Sequence, residues 1–209
     1  MSGVENVSGG RVFSPTERIT MPAYVREIID RLDSRGFSAY AVGGAVRDCA
    51  LGLSPDDWDV ASSALPEEIE STFSDFRVIE TGIKHGTVSV VTGGNTVEIT
   101  TFRKESGYSD NRHPDAVEFV GDIAEDLRRR DFTVNSLAYN EKDGLIDLYG
   151  GLSDIQNKIV RAVGNPEERF SEDSLRILRA VRFSSKLGFS IEKQTLAAAE
   201  KLKSGLKNV

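Results

Sequence analysis

The chain has 209 residues, of which 39% are hydrophobic and 28% charged, with a formal net charge of −7. That length fits one sizeable core with a helical appendage and argues against two independent domains, and no apolar run reaches the ~20 residues that a membrane-spanning helix needs. The single Cys49 excludes an internal disulfide, and Cys49 with only His85 and His113 is too sparse a set for a structural zinc site.

The first 20 residues are polar and lack the apolar core of a signal peptide, so a flexible leader and a cytoplasmic protein are expected. Residues 22–35 carry Val25, Ile28, Ile29 and Leu32 at helical spacing and stop at Gly36, which predicts a first helix. A strand at 39–42 then meets Gly43-Gly44 and a second helix at 45–51. Short β-rich segments follow at 58–61, 77–80, 87–92 and 96–102, with Gly93-Gly94-Asn95 as a hairpin turn between the last two. Residues 104–118 are polar and without apolar period, and predict an exposed loop. Residues 123–139 read as a helix, 145–148 and 159–163 as strands. After Pro166 the helical segments 170–187 and 195–206 carry no strand signal. The fold expected is α+β: a leader at 1–20, a small mixed sheet with helices at 21–164, and an all-α segment at 165–209. The chain stops just after a helix with no capping element, which reads as a fragment of something longer.

The acidic balance weighs against a nucleic-acid partner, because phosphate binding is largely electrostatic. Local clusters such as Arg128, Arg129, Arg130 and Arg176, Arg179, Arg182 nevertheless offer a basic track, and bound metal ions would offset carboxylates.

The chemistry begins at Asp57-Trp58-Asp59. Residues two apart in a strand share a face, so two like charges sit side by side, an arrangement that divalent cations between them make favourable. Gly43-Gly44 before a helix can bring bare backbone N–H groups up to a triphosphate. Each piece alone also fits a plain turn or a solvated edge; the combination at this spacing points to nucleotidyl transfer. Glu98, between Val97 and Ile99 and on the face opposite to theirs, is a candidate third carboxylate, or simply an exposed strand glutamate.

These residues carry a resemblance. Gly43-Gly44-x-Val46-Arg47-Asp48, then Leu51-Gly52 and Asp57-x-Asp59, resemble the opening signature of the polymerase-β-like class II nucleotidyltransferases. That group includes CCA-adding enzymes, their CC- and A-adding relatives and bacterial poly(A) polymerases. Three blocks follow in the family's order: Arg129-Arg130-Asp131-Phe132-Thr133-Val134-Asn135 is similar to its ribose-recognising motif, Asp147-Leu148-Tyr149-Gly150-Gly151 to its spring-like element, and Glu172-Asp173-x-x-Arg176-x-x-Arg179-Ala180 to its nucleotide-selecting motif. The likeness runs from about residue 24 to 189 and lacks the rest of the family's neck, body and tail. It implies a nucleotidyltransferase head followed by the start of a helical neck. It also implies addition of C and A from CTP and ATP to a tRNA 3′ end, with two Mg²⁺ ions on Asp57 and Asp59.

The residues fit those roles. On the predicted helix Asp131 and Asn135 share a face, suited to a ribose hydroxyl, and Arg130 is placed for the triphosphate. Asp173 and Arg176, three apart on one predicted helix, would offer an acceptor and donors together. Cytosine and adenine both present an amino donor beside a ring-nitrogen acceptor, so this pair would take C and A and reject U and G; an intrahelical ion pair is the plainer alternative. The full-length loop at 104–118 disfavours CC-only addition, and residues 76–82 lack the basic block of poly(A) polymerases. A-adding is the runner-up, and an inactive RNA-binding module is the reading from another class. Trp58 is expected in the core, His85 and His113 on the surface, Cys49 as a buried small side chain, and Ile177, Leu178 and Val181 packed beneath a neck helix.

Overall fold

The computed structural model describes residues 18–82 and 86–208; most of the expected leader and His85 lie outside the described residues. Helix α1 (Ala23–Ser34) buries Val25, Ile28, Ile29 and Leu32, the stripe its spacing dictates, against strand β1 (Ala39–Val42), which is buried throughout. After Gly43 the chain enters α2 (Gly44–Ala50) and returns through β2 (Asp59–Ser62). Helix α3 (Pro66–Thr72) was not expected; Pro66 opens its first turn and the Glu68 carboxylate accepts from the Leu65 N–H at 2.8 Å, a capping signal in a helix too short for a periodicity to show. Strands β3 (Arg77–Gly82), β4 (Thr87–Thr92) and β5 (Asn95–Thr101) follow.

The stretch expected to be a loop at 104–118 is a loop only in its middle. Its ends pair as an antiparallel ribbon, β6 (Arg103–Ser106) with β7 (Ala116–Phe119). The helix expected at 123–139 is also corrected. Helix α4 ends early (Ile123–Arg128), Phe132 makes a bridge to Ala162, Thr133–Asn135 form a 3-10 turn, and Leu137–Asn140 are strand β8. Every residue from 131 to 140 is buried, so the apolar positions reflect a central strand covered on both faces and mimic a helical period.

Strand β9 (Gly144–Asp147) precedes a second unexpected short helix, α5 (Gly151–Gln156), whose first N–H groups are capped by Asp147 at 2.7 and 2.9 Å. A Cβ on Gly151 would meet the Thr133 carbonyl oxygen at 2.3 Å, so glycine lets α5 press against the 3-10 turn. Beyond β10 (Ile159–Val160) come α6 (Pro166–Glu172), α7 (Leu175–Leu187), β11 (Ser190–Ile191), α8 (Lys193–Leu202) and a 3-10 segment (Lys203–Asn208). The helical segment thus also carries a two-residue strand, which pairs with β10 in parallel. Ile177 is buried as expected, but Leu178 and Val181 are 52% and 57% exposed, because α7 turns Arg176, Ala180 and Phe183 inward instead.

The main sheet has seven strands in the order β3-β4-β5-β2-β1-β8-β9. It is mixed: β2 and β5 run parallel while the other neighbours are antiparallel. Trp58 is buried in the core, Cys49 is only half-buried with its thiol pushed by burial up to about 11, and exposed His113 bonds to Asp110.

Candidate active site

The turn from β1 into α2 forms one wall. Gly43 has φ +70° and ψ −125°, a conformation that disfavours any side chain, and a Cβ there would stand 3.0 Å from Arg130 Nη1. The next glycine, Gly44, starts α2, whose first-turn N–H groups have no partner within the helix.

From α2, buried Arg47 donates to Asp48 at 2.8 Å and to the Asn135 amide oxygen at 2.5 Å. The Asn135 amide nitrogen donates to Asp131 Oδ1 at 3.1 Å, and Asp131 Oδ2 accepts from Arg179 Nε at 2.7 Å. One chain of hydrogen bonds therefore ties α2, the 3-10 turn and α7. Asp131 and Asn135 meet as expected, through a turn and not along a helix. Phe183 completes the link, with the Arg47 and Arg179 guanidinium carbons 5.4 and 5.3 Å from its ring centroid. Sequence reasoning missed Phe183; its signal was a position four residues, one helical turn, after Arg179.

The acidic residues form a second group. Asp59 pairs in parallel register with Glu98, which sets their side chains on one face with strands about 4.8 Å apart. Asp57 lies just before β2, and buried Trp58 between exposed Asp57 and Asp59 keeps the alternation. The Asp59 carboxyl reaches solvent yet is crowded by protein. That burial first, then the charges of Glu98 and Asp57, push its pKa above the usual carboxylate range, against the pull of Arg130. Among the described residues no three acidic, histidine or cysteine side chains stand close enough to hold a metal ion unaided. A carboxylate pushed up by two others is, however, a donor set that a divalent cation would relieve.

The two groups meet in a cleft of about 470 Å³ lined by Gly43, Gly44, Arg47, Asp59, Arg130, Asp131, Asn135, Asp173, Arg176 and Arg179. Asp57 and Glu98 are missing from this lining, and Arg128 of the expected basic track lines a separate pocket with Lys104 and Glu118. Arg129, Arg182, Phe183 and Lys186 complete the cleft lining, so an acidic protein has a strongly basic cleft. A larger cavity of about 550 Å³, beside Ile19, Cys49, Leu53 and Trp58, has Arg18 as its one charged lining residue and lacks convergent polar groups.

Asp173 and Arg176 both reach the cleft, but not from one helix. Asp173 sits in the elbow where α6 ends and α7 begins, with φ −139° and ψ 104°, and its Oδ1 accepts from the Leu175 N–H at 2.9 Å. Buried Arg176 pairs instead with Glu172 at 2.7 Å and donates to the carbonyls of Arg129 and Arg169 at 3.2 and 3.3 Å. The intrahelical ion pair of Asp173 with Arg176, weighed as the alternative, is replaced by a pair of Arg176 with Glu172 that joins α7 to the end of α6. The loop between β6 and β7 grips the same elbow: Asn111 accepts from the Ser174 N–H and donates to the Ser171 carbonyl, both at 2.9 Å.

A mixed sheet with paired carboxylates on adjacent strands, facing a basic cleft with a glycine turn, defines a nucleotidyltransferase-type head. Residues 39–161 match the family described as the poly A polymerase head domain, and the chain belongs to that family. Among curated relatives, a CCA-adding enzyme of Ligilactobacillus salivarius is 55% identical over 174 residues, covering 83% of this chain and 43% of the relative. One from Pediococcus pentosaceus is 52% identical over 175 residues, covering 84% and 44%. The crystal structure of the Bacillus stearothermophilus CCA-adding enzyme in complex with CTP aligns with a TM-score of 0.76 at 40% identity, covering 90% of this chain and 49% of that one. A CCA-adding enzyme complexed with ATP aligns at 0.74 and 29% identity, covering 89% and 43%. The chain spans less than half the length of the curated relatives it matches. Nucleotidyltransferases of this family generally use divalent metal ions.

Proposed function

We propose that the chain is the catalytic head and first part of the neck of a tRNA nucleotidyltransferase, adding C and A from CTP and ATP to a tRNA 3′ end. The head would occupy residues 21–164 and the neck would begin in 165–209. The observation that carries this reading is the convergence of three separate sequence motifs on one basic cleft. Relatives named as CCA-adding enzymes, with structures described in complex with CTP and with ATP, support the same substrates.

In this reading Asp57 and Asp59 would hold two Mg²⁺ ions, with nucleotide phosphates completing the ligand shells, which is how Mg²⁺ is commonly bound when carboxylates are few. Bound there, the ions would supply charge for the triphosphate and lower the pKa of the RNA 3′-hydroxyl. Glu98, opposite Asp59, adds the third carboxylate. The Gly43 N–H donates to the Leu137 carbonyl at 3.0 Å, so Gly43 serves by keeping a side chain out of the turn while Gly44 and the first turn of α2 bring bare backbone to the triphosphate; Arg47 and Arg130 add positive charge, and Asp131 with Asn135 meet the ribose. The 3′-hydroxyl gives up its proton to solvent water, its oxygen bonds to the α-phosphorus, and the bond to the bridging oxygen breaks as pyrophosphate leaves. Asp173 accepts from the base amino group. Arg176 uses three of its five N–H donors within the protein, and those left can reach the ring nitrogen. Arg182 and Lys186 extend the cleft as a track for RNA phosphates. No helix among the described residues is long and apolar enough to cross a membrane, which accords with a cytoplasmic enzyme.

The test is incorporation of labelled CTP and ATP into tRNA transcripts ending before CCA, after C and after CC, alongside equilibrium binding of all four nucleotides to this chain. CCA addition predicts C on the first two transcripts and A on the third. Activity on the third alone would establish the A-adding alternative, and growth beyond one A would indicate poly(A) addition. Equal binding of all four nucleotides with no metal-dependent incorporation would leave an inactive RNA-binding module.

A further inference from the structure

Behind the cleft lies a buried charge that the proposed chemistry does not use. Asp126, on α4, is fully shielded from solvent and is not part of the cleft lining. Its Oδ1 accepts from Arg129 Nη2 at 2.7 Å and Nε at 3.0 Å, and its Oδ2 from Arg130 Nη2 at 3.0 Å and Nε at 3.3 Å. Arg129 is gripped from its far side by Glu105 of β6 at 3.0 Å. Burial pushes the Asp126 carboxyl up, but Arg130 and Arg129 outweigh it and hold the group below the usual range. A buried carboxylate is costly unless its oxygens are paired, and here each oxygen takes the side of one guanidinium.

The grip is directional. Arg130 is held along its Nε–Nη2 edge, which leaves Nη1 toward the Gly43 turn, 3.0 Å from where a Cβ would stand. The same guanidinium is felt by Asp59.

We propose that Asp126 is a positioning residue that fixes Arg130 so that Nη1 meets the triphosphate of a bound nucleotide between Gly43 and Asp59. This rests on the reading of the cleft as a nucleotide site. A free arginine samples many rotamers before it meets a phosphate; one already held by a carboxylate fork meets it with that ordering done.

A role confined to folding would weaken the chain without sorting one part of a nucleotide from another. The test is calorimetric titration of CTP and of CMP into the 209-residue chain and into Asp126→Asn, Arg130→Ala and the double variant, with thermal unfolding of each. Asp126→Asn is expected to lower CTP affinity on the order of tenfold, to leave CMP nearly unchanged, and to add nothing once Arg130 is alanine. Asp126→Glu keeps the charge and moves it by one methylene. It should lower the CTP preference in the same sense, and it decides the matter if the asparagine variant does not fold. Equal losses for CTP and CMP, or an undiminished effect of Asp126→Asn in the Arg130→Ala background, would overturn the proposal. A wild-type chain that binds CTP no better than CMP would defeat the nucleotide reading at Arg130, and the proposal would fall with it.

Discussion

Asp173→Asn separates base reading from helix capping in one substitution. The Asp173 Oδ1 caps the start of α7 through the Leu175 N–H, and Asp173 lines the cleft, so in the proposed reading Oδ2 is the acceptor for the base. Asparagine keeps the cap through its amide oxygen and places an NH₂ where Oδ2 was. Such a cap contributes about 1 kcal/mol, so thermal stability should hold within about 0.5 kcal/mol. At the base, a hydrogen bond to a charged acceptor, worth about 1.5–3 kcal/mol, becomes a donor facing a donor. At about 1.4 kcal/mol per decade the preference for CTP and ATP over UTP and GTP should fall roughly 10- to 100-fold. Asp173→Ala should lose the preference and the cap together. The assay is competition binding of the four nucleotides, with incorporation on one tRNA transcript as a second readout. If Asp173→Asn kept the full preference for C and A, Asp173 would be a capping residue only and selectivity would have to be sought elsewhere.

Three further outcomes are expected. The folded pKa of Asp59 lies above its unfolded value, so its contribution to stability is present in acid and lost as the pH rises through the folded value; Asp59→Asn should therefore raise the melting temperature near neutral pH while abolishing any Mg²⁺-dependent rise, and a lower melting temperature would contradict the crowding described. Gly43→Ala forces a side chain onto φ +70° and toward Arg130, costing of order 1–3 kcal/mol, and should weaken CTP more than CMP; unfolding and titration read both. Arg182→Gln with Lys186→Gln should weaken CTP less than Arg130→Ala does while reducing the log–log salt slope for single-stranded RNA by about 1.4, and an unchanged slope would remove α7 from the RNA track.

The site was legible in sequence wherever its residues are neighbours in sequence. Gly43-Gly44, Asp57-x-Asp59 and the block from Arg129 to Asn135 declare themselves by spacing, and the structure gathers Gly43, Gly44, Asp59, Arg129, Arg130, Asp131 and Asn135 around one cleft. What the sequence concealed was partnership. The bond from Arg179 to Asp131 spans 48 residues, and Arg47 reaches Asn135 across 88; no local pattern encodes either. The helix misread at 123–139 has the same origin, since a strand buried on both faces shows continuous apolarity that a helical template also accepts. Asp126 carries no spacing signal of its own, and its complete burial is what sets it apart.

The parallel pairing of β2 with β5 has a consequence for how such a chain tolerates change in length. Asp59 and Glu98 face each other because the hydrogen-bond ladder of those two strands aligns them, not because of the number of residues between. Additional residues at the exposed Ser74-Asp75 turn after α3 can bulge outward at the surface and leave the carboxylates opposed. One residue inserted within Val60 to Ser62 would leave Asp59 in place but shift the strand behind it; one inserted just before Glu98 on β5 would turn that carboxylate to the opposite face of the sheet, because side chains alternate with a period of two. Deep insertion scanning across residues 63–99 should therefore show acceptance at exposed turns such as Ser74-Asp75 and Gly93-Gly94, and intolerance within β3, β4 and β5.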